Sequence, residues 1–211
     1  MDTQMATAPQ RPTVTPRVRG FTICPASPNE ADDLARLAVL ASDGLTLATW
    51  ADIAAEDQTP IQIGAARAAR TEGSFSYRNA DIAMQNRNVI AAIISYPMTN
   101  QAEVITLADV PPVFRPLVAL EARATPSWYI NILATYPDAR GQGAATALIE
   151  DVEARAKLAG FAQLSLIVGN NNSARRLYGS LGFSEAAREA VVQGDTPERD
   201  THWILIKKSI N

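Results

Sequence analysis

Apolar positions follow two periods along the chain, and the change from one to the other marks the elements. Residues 1–19 have no period; they are rich in Thr, Pro, Gln and Ala and are expected to be a flexible tail. Phe21 to Cys24 reads as a first strand, ended by Pro25 and Pro28. Ser27 or Asn29 then caps a helix whose buried face is Leu34, Leu37, Ala38 and Ala41, with Gly44 closing it. Leu45 to Thr71 carries one or two more helices. A partial stripe runs from Thr46 to Ile53, and a fresh start follows at Thr59-Pro60. Asn79 to Gln85 and Val89 to Tyr96 form an antiparallel hairpin about Asn86-Arg87-Asn88, its second arm apolar enough to be buried on both faces. Met98 to Pro126 is a long proline-bearing connection. Val113 to Glu121 is a short helix within it, and Phe114, Leu117, Val118 and Leu120 argue that it packs.

The second half is more regular. Trp128 to Thr135 is an apolar strand, placing Tyr129, Asn131 and Leu133 on one face by simple alternation. A turn, Tyr136 to Arg140, leads through Gly141-Gln142-Gly143 into a helix with Ala145, Leu148, Ile149, Val152, Ala156 and Ala159 in one stripe. Asp151 with Arg155 and Glu153 with Lys157 are i,i+4 pairs with the acid first, the better orientation, and Gly160 stops the helix. Ala162 to Val168 is the next strand. Ala174, Leu177, Tyr178 and Leu181 form a helical stripe after it. Ser184 to Val192 and Thr201 to Lys207 then pair as strands across Gln193 to Asp200. This order predicts an α/β protein, a mixed central sheet with helices on both faces, with residues 20–211 forming one domain.

Composition narrows the class. A chain of 211 residues that is 47% hydrophobic can build one real core. The net charge of -3 and the lack of a basic cluster argue against nucleic acid. No apolar run approaches the ~20 residues of a membrane span, and no signal-peptide core opens the chain. The single cysteine, Cys24, precludes an internal disulfide framework and suits a reducing cytoplasm; it reads as a small core residue.

The chemistry concentrates between Ser127 and Gly182. Arg140, Gly141 and Gly143 lie where a strand hands over to a helix, whose first N–H groups lack partners and carry the positive end of its dipole. Glycines let an anion approach that backbone, so this turn is a phosphate cradle. A dinucleotide fold is the rival reading, since Gly141-x-Gly143-x-x-Thr146 has the right local context. It requires an acidic residue at the end of the next strand, and Leu164 to Gly169 ends without one.

Arg140-x-x-Gly143-x-Ala145 resembles the acyl-CoA signature of the GNAT acetyltransferase superfamily. Asn171-x-x-Ala174-x-x-Leu177-Tyr178-x-x-Leu181-Gly182-Phe183 resembles its second signature, in the right order and at about the right distance. The resemblance implies a GNAT-like fold in which the fourth and fifth strands splay apart to admit the pantetheine arm. It implies acetyl-CoA as cosubstrate, no metal, and transfer of an acetyl group to a primary amine, on a small molecule or a peptide, by direct attack in a ternary complex. Backbone groups of Arg140, Gly141, Gln142, Gly143, Ala144 and Ala145 would hold the pyrophosphate. Leu133 and Thr135 would pair with pantetheine like an added strand, and Asn171 would order the second loop or touch the coenzyme. Tyr178 occupies the position that donates a proton to the leaving thiolate, and a strand-four amide around Asn131 would stabilise the oxyanion. The segment between the first two strands would line the acceptor pocket, making Trp50, Phe75 and Tyr77 candidates, although each is also an ordinary core aromatic. The general base stays open among ordered water, Glu121 and His202, because the fourth strand has no carboxylate. That gap also leaves open an acetyl-CoA-binding sensor without turnover. A longer acyl group and a homodimer are likewise undecided.

Overall fold

The computed structural model describes residues 20–42, 44–99, 110–192 and 200–210. The expected tail, residues 100–109 of the long connection and residues 193–199 of the last one lie outside them. Seven strands, β1 (Thr22–Pro25), β2 (Ala80–Gln85), β3 (Asn88–Met98), β4 (Ser127–Thr135), β5 (Gln163–Gly169), β6 (Ser184–Ala190) and β7 (His202–Ser209), form one sheet in the order β1-β2-β3-β4-β5-β7-β6. Every neighbouring pair is antiparallel except β4–β5, which is parallel. The expected mixed α/β sheet is therefore present.

Local chemistry sets the ends of the elements. Ser27, not Asn29, is the cap: its hydroxyl accepts from Asn29 N–H, and Glu30 Oε2 accepts from Ser27 N–H at 2.7 Å, a capping box ahead of helix α1 (Ala31–Ala41). Thr59 and Gln62 make the same box at the start of α3 (Pro60–Ala68), after the short α2 (Leu45–Ala51). The β2–β3 hairpin turns on Asn86 and Arg87, both at positive φ (50° and 69°), so the loop is tighter than expected and Asn88 already belongs to β3. The helix of the long connection, α4 (Arg115–Ala124), starts later and ends later than its apolar pattern suggests, because Pro112–Phe114 winds as a 3-10 turn.

Helix α5 (Ala144–Leu158) and the short α6 (Arg175–Ser180) cover one face of the sheet. The stripe Leu148, Ile149, Val152 and Ala156 is fully buried against Ile93, Ile130 and Leu164. The expected pairs form, Arg155 to Asp151 at 3.1 Å and Lys157 to Glu153 at 3.0 Å; Arg155 also reaches the buried Asp81 on β2 and locks α5 to the sheet. On the opposite face α1 packs over β2, β3 and β4, and α4 lies over β5, β6 and β7. Cys24 is partly buried against the α1 core, in keeping with a packing role.

One departure from simple alternation matters for function. Ile94 pairs with Ile132 but Ser95 pairs with Ile130, so Asn131 is the extra residue of a β-bulge in β4. Trp128, Ile130 and Leu133 therefore share the α5 face, whereas Tyr129, Ile132 and Ala134 face α1 and α4. The expected sharing of one face by Tyr129, Asn131 and Leu133 is wrong for this reason.

Trp50 is 3% exposed and fills the space between α1 and α3, its ring 5.6 Å from that of Phe75. A Cβ added at Gly64 would lie 2.2 Å from the indole. Gly64→Ala should accordingly cost about 1–3 kcal/mol through overpacking. Gly179→Ala, where nothing lies within 4 Å, should be neutral or stabilise by about 0.5–1 kcal/mol. Urea unfolding of both variants checks the pair.

Candidate active site

Strands β4 and β5 pair at only two positions, Trp128 with Leu164 and Tyr129 with Ser165. The Ser127 and Ser165 hydroxyls, 2.5 Å apart, tie the strands where they still touch. Beyond that point they part, and a cleft of about 730 Å³ opens between them. Its walls come from both faces: Gly143 to Thr146 at the start of α5, Ala174, Leu177 and Tyr178 around α6, and Leu40 to Ser42 at the end of α1. The cleft thus passes through the sheet, because α1 and α5 pack on opposite sides of it.

The glycine loop forms the rim on the α5 side. A 3-10 turn, Pro137–Ala139, leads to an extended Arg140, followed by Gly141 and Gly143 at φ +76° and +84°. This left-handed conformation favours glycine at both places. The first internal bond of α5 runs from Ala147 N–H to Gly143 C=O, and no side chain among the described residues caps Gly143. Ala144, Ala145 and Thr146 therefore present N–H groups that have no partner within the helix. A Cβ at Gly141 would meet nothing within 4 Å, so the backbone there is open to a large anion. These residues fit a pyrophosphate. The Arg140 side chain is exposed and, among the described residues, holds a 3.4 Å bond to Thr135 C=O, which leaves it able to turn toward a bound anion.

Most residues picked from the sequence meet here. Asn131, Leu133, Thr135, Arg140, Gly141, Gly143, Ala144, Ala145 and Tyr178 all line the cleft. Gln142 does not: its side-chain oxygen accepts from Gln85 Nε2 at 3.1 Å, outside the cleft. Asn171 is also outside the lining, its N–H donating to Asp200 Oδ1 at 2.6 Å. The neighbouring Asn172 lines the cleft instead and accepts from Ala174 N–H at 2.9 Å ahead of α6. Trp50, Phe75 and Tyr77 pack in the α1 side of the core and contribute nothing to the lining. His202 stands apart from it as well, with Nδ1 3.0 Å from the Thr201 hydroxyl.

Tyr178 is 6% exposed, with its ring 5.8 Å from Phe183 and its edge on the cleft. Its hydroxyl makes no hydrogen bond among the described residues, and burial pushes its pKa up to about 12. The phenol therefore stays protonated at neutral pH and has a proton to donate.

Two supports were not legible from spacing. Tyr136 donates its hydroxyl to Asp33 Oδ1 at 2.7 Å, tying the strand end that enters the glycine loop to α1. Asn170 Oδ1 accepts from the N–H groups of Thr201 and His202, fixing the end of β5 to β7. Both join segments far apart in sequence, and no local motif signals them.

A model of the acetyltransferase (GNAT) family matches residues 50–183. No curated protein matches the chain significantly. The structure resembles a polyamine N-acetyltransferase from Drosophila melanogaster that forms N-acetylagmatine (14% identity, TM-score 0.63, 90% of this chain and 99% of that one). It also resembles the ribosomal-protein-S18-alanine N-acetyltransferase of Escherichia coli (19%, 0.53, 90% and 94%) and a chain of the NatC complex bound to Gag peptide and CoA (15%, 0.55, 90% and 99%). At these identities the likeness establishes the fold.

Replacing Gly143 by Glu places a carboxylate where the unpaired N–H groups converge and forces a side chain into left-handed backbone, at a cost of roughly 1–2 kcal/mol. The variant should fold, with a lowered Tm, and lose CoA binding by calorimetric titration. Unchanged affinity would remove the glycine loop from the site.

Proposed function

The chain belongs to the GNAT acetyltransferase family and is an acyl-CoA-dependent acetyltransferase; we propose that it moves the acetyl group of acetyl-CoA onto a primary amine by direct attack in a ternary complex. One observation carries this reading: β4 and β5 separate beside an uncapped helix start, so an anion site and a strand edge face one continuous cleft. Nothing in this arrangement requires a covalent enzyme intermediate, and Cys24 on β1 does not line the cleft.

The roles follow from position. Backbone N–H groups from Gly141 to Ala145, with Arg140, hold the pyrophosphate. The edge of β4 at Leu133 and Thr135 offers backbone groups to the pantetheine amides, as an added strand would. The bulge at Asn131 turns part of the backbone out of the β3 ladder, and an amide there faces the oxygen that gains charge during transfer. Tyr178 donates its proton to the departing sulfur. The cleft mouth at Leu40 to Ser42 admits the acceptor from the side opposite α5. One sheet runs from β1 to β7, which supports residues 20–211 as a single catalytic domain. No helix among the described residues is long and apolar enough to cross a membrane.

The direct test supplies acetyl-CoA with a panel of primary amines, including agmatine, a peptide with N-terminal alanine and a lysine peptide, and reads thiol release. Release that depends on one of them supports the reading and names the acceptor class. CoA binding without release from any amine would make the domain a sensor, and release only from longer acyl-CoA would reassign the donor.

Tyr178→Phe keeps the ring and its packing and removes only the proton. A thiolate is a fair leaving group, so the loss should sit at the low end of general-acid effects, about 10²-fold in kcat. kcat and kcat/KM should fall together, with CoA affinity and Tm nearly unchanged. Normal turnover would leave Tyr178 a packing residue.

A further inference from the structure

We infer that Tyr129 and Glu121 form a proton relay that takes the proton of the incoming ammonium on the acceptor side of the sheet. The inference rests on the acetyltransferase reading above. Helix α4 lays Leu120 and Ala124 against Tyr129 and Leu205, and thereby carries Glu121 onto the sheet. The Tyr129 hydroxyl donates to Glu121 Oε1 at 3.4 Å, and the Tyr129 ring meets that of Tyr96 at 5.7 Å. This supplies the carboxylate that β4 itself lacks.

The position suits an acceptor. Tyr129 belongs to the last β4–β5 pair before the strands part, two places from the Asn131 bulge. Its side chain projects to the α1 and α4 face, opposite the α5 terminus that would take the pyrophosphate. Tyr129 and Glu121 do not themselves line the cleft; Ile167 and Trp203, which do, pack against the Tyr129 cluster, so the relay lies directly behind the cleft wall. The bond to Glu121 is longer than the ~2.7–2.8 Å of a strong O–H···O contact, as catalytic hydrogen bonds often are before substrate tightens them.

The electrostatics agree. Burial holds the Glu121 carboxyl above its ordinary range, partly offset by the Tyr129 bond, which moves it toward the pH at which a base is most useful. The groups facing it are the phenols of Tyr129 and Tyr96, both kept protonated chiefly by burial. Neighbouring charges are engaged elsewhere: Arg123 on α4 pairs with Glu189 at 2.9 Å, and on β6 Arg188 pairs with Glu185.

The proton count closes. An ammonium has no lone pair with which to attack. It passes one proton by way of a water to the Tyr129 oxygen while Tyr129 passes its own to Glu121, so the carboxylate becomes a carboxylic acid and the phenol is restored. The freed lone pair forms the C–N bond at the thioester carbon, and the C–S electrons leave on sulfur. Sulfur takes the Tyr178 proton, and the second nitrogen proton restores Tyr178. Glu121 then returns its proton to solvent, one per turnover.

The test follows kcat/KM for the amine against pH in the full chain, using the first amine of the panel that the wild type acetylates. The variants are Glu121→Gln, Tyr129→Phe and both together. Each single variant should lose about 10²-fold near neutral pH. The acetyl-CoA KM should stay constant, and the double variant should be no worse than either single one, because both act in one relay. The deficit should shrink as pH rises, since free amine then needs no base. An unchanged Glu121→Gln profile, additive losses, or a loss equal at every pH would each overturn the relay. Tyr129→Phe retains the ring and carries the test if Glu121→Gln fails to fold. A wild type that binds CoA and acetylates no amine removes the acetyltransferase reading together with the relay; a wild type that turns over beside an unaffected Glu121→Gln removes the relay alone.

Discussion

Backbone N–H and C=O groups in a buried sheet must find partners, and this sheet contains a stretch where one strand has a neighbour on one side only. From Asn131 to Thr135, β4 keeps β3 along one edge while β5 has already turned away. The result is a strand edge inside the sheet rather than at its border. The rest of the architecture holds that edge open. The Ser127–Ser165 contact pins the strands below it, β7 holds the far edge of β5 along its whole length, and α5 and α1 brace the two faces. A ligand with amide groups spaced like a peptide would complete the ladder.

Tyr178 shows how packing and chemistry share one residue. Its ring belongs to the core formed by α5, β5 and Phe183, and the same burial raises the pKa of its hydroxyl. The residue that reads as plain core in a helical stripe is thus also the one proposed as proton donor, although burial makes it a weaker acid than a free phenol. Burial among Leu120, Ala124 and Leu205 likewise raises the pKa of Tyr129.

Much of this was legible in the sequence, because the signals are local. The α5 stripe, the acid-first ion pairs, the glycine loop and the β2–β3 hairpin each depend on residues within a few positions of one another. What escaped depends on partners. The bulge at Asn131 arises from the register against β3, which alternation within β4 cannot reveal, and it reversed the expected facing of Tyr129 and Leu133. The Tyr136–Asp33 bond spans 103 residues. Asn171 and Gln142 stand outside the cleft lining, in contact with Asp200 and Gln85, which are remote in sequence. Trp50 could be either pocket or core by composition, and the absence of a side chain at Gly64 settled it as core.

The bulge also makes this site sensitive to chain length in a way that residue identity hides. Side chains alternate along a strand, so losing one residue from β4 at Asn131 would carry every side chain from Ile132 to Thr135 to the opposite face. Leu133 would leave the α5 core, while Ile132 and Ala134 would leave the α1 core. Substitution at Asn131 should therefore be tolerated far better than its deletion, because it is the extra length, more than the asparagine, that aims the strand edge.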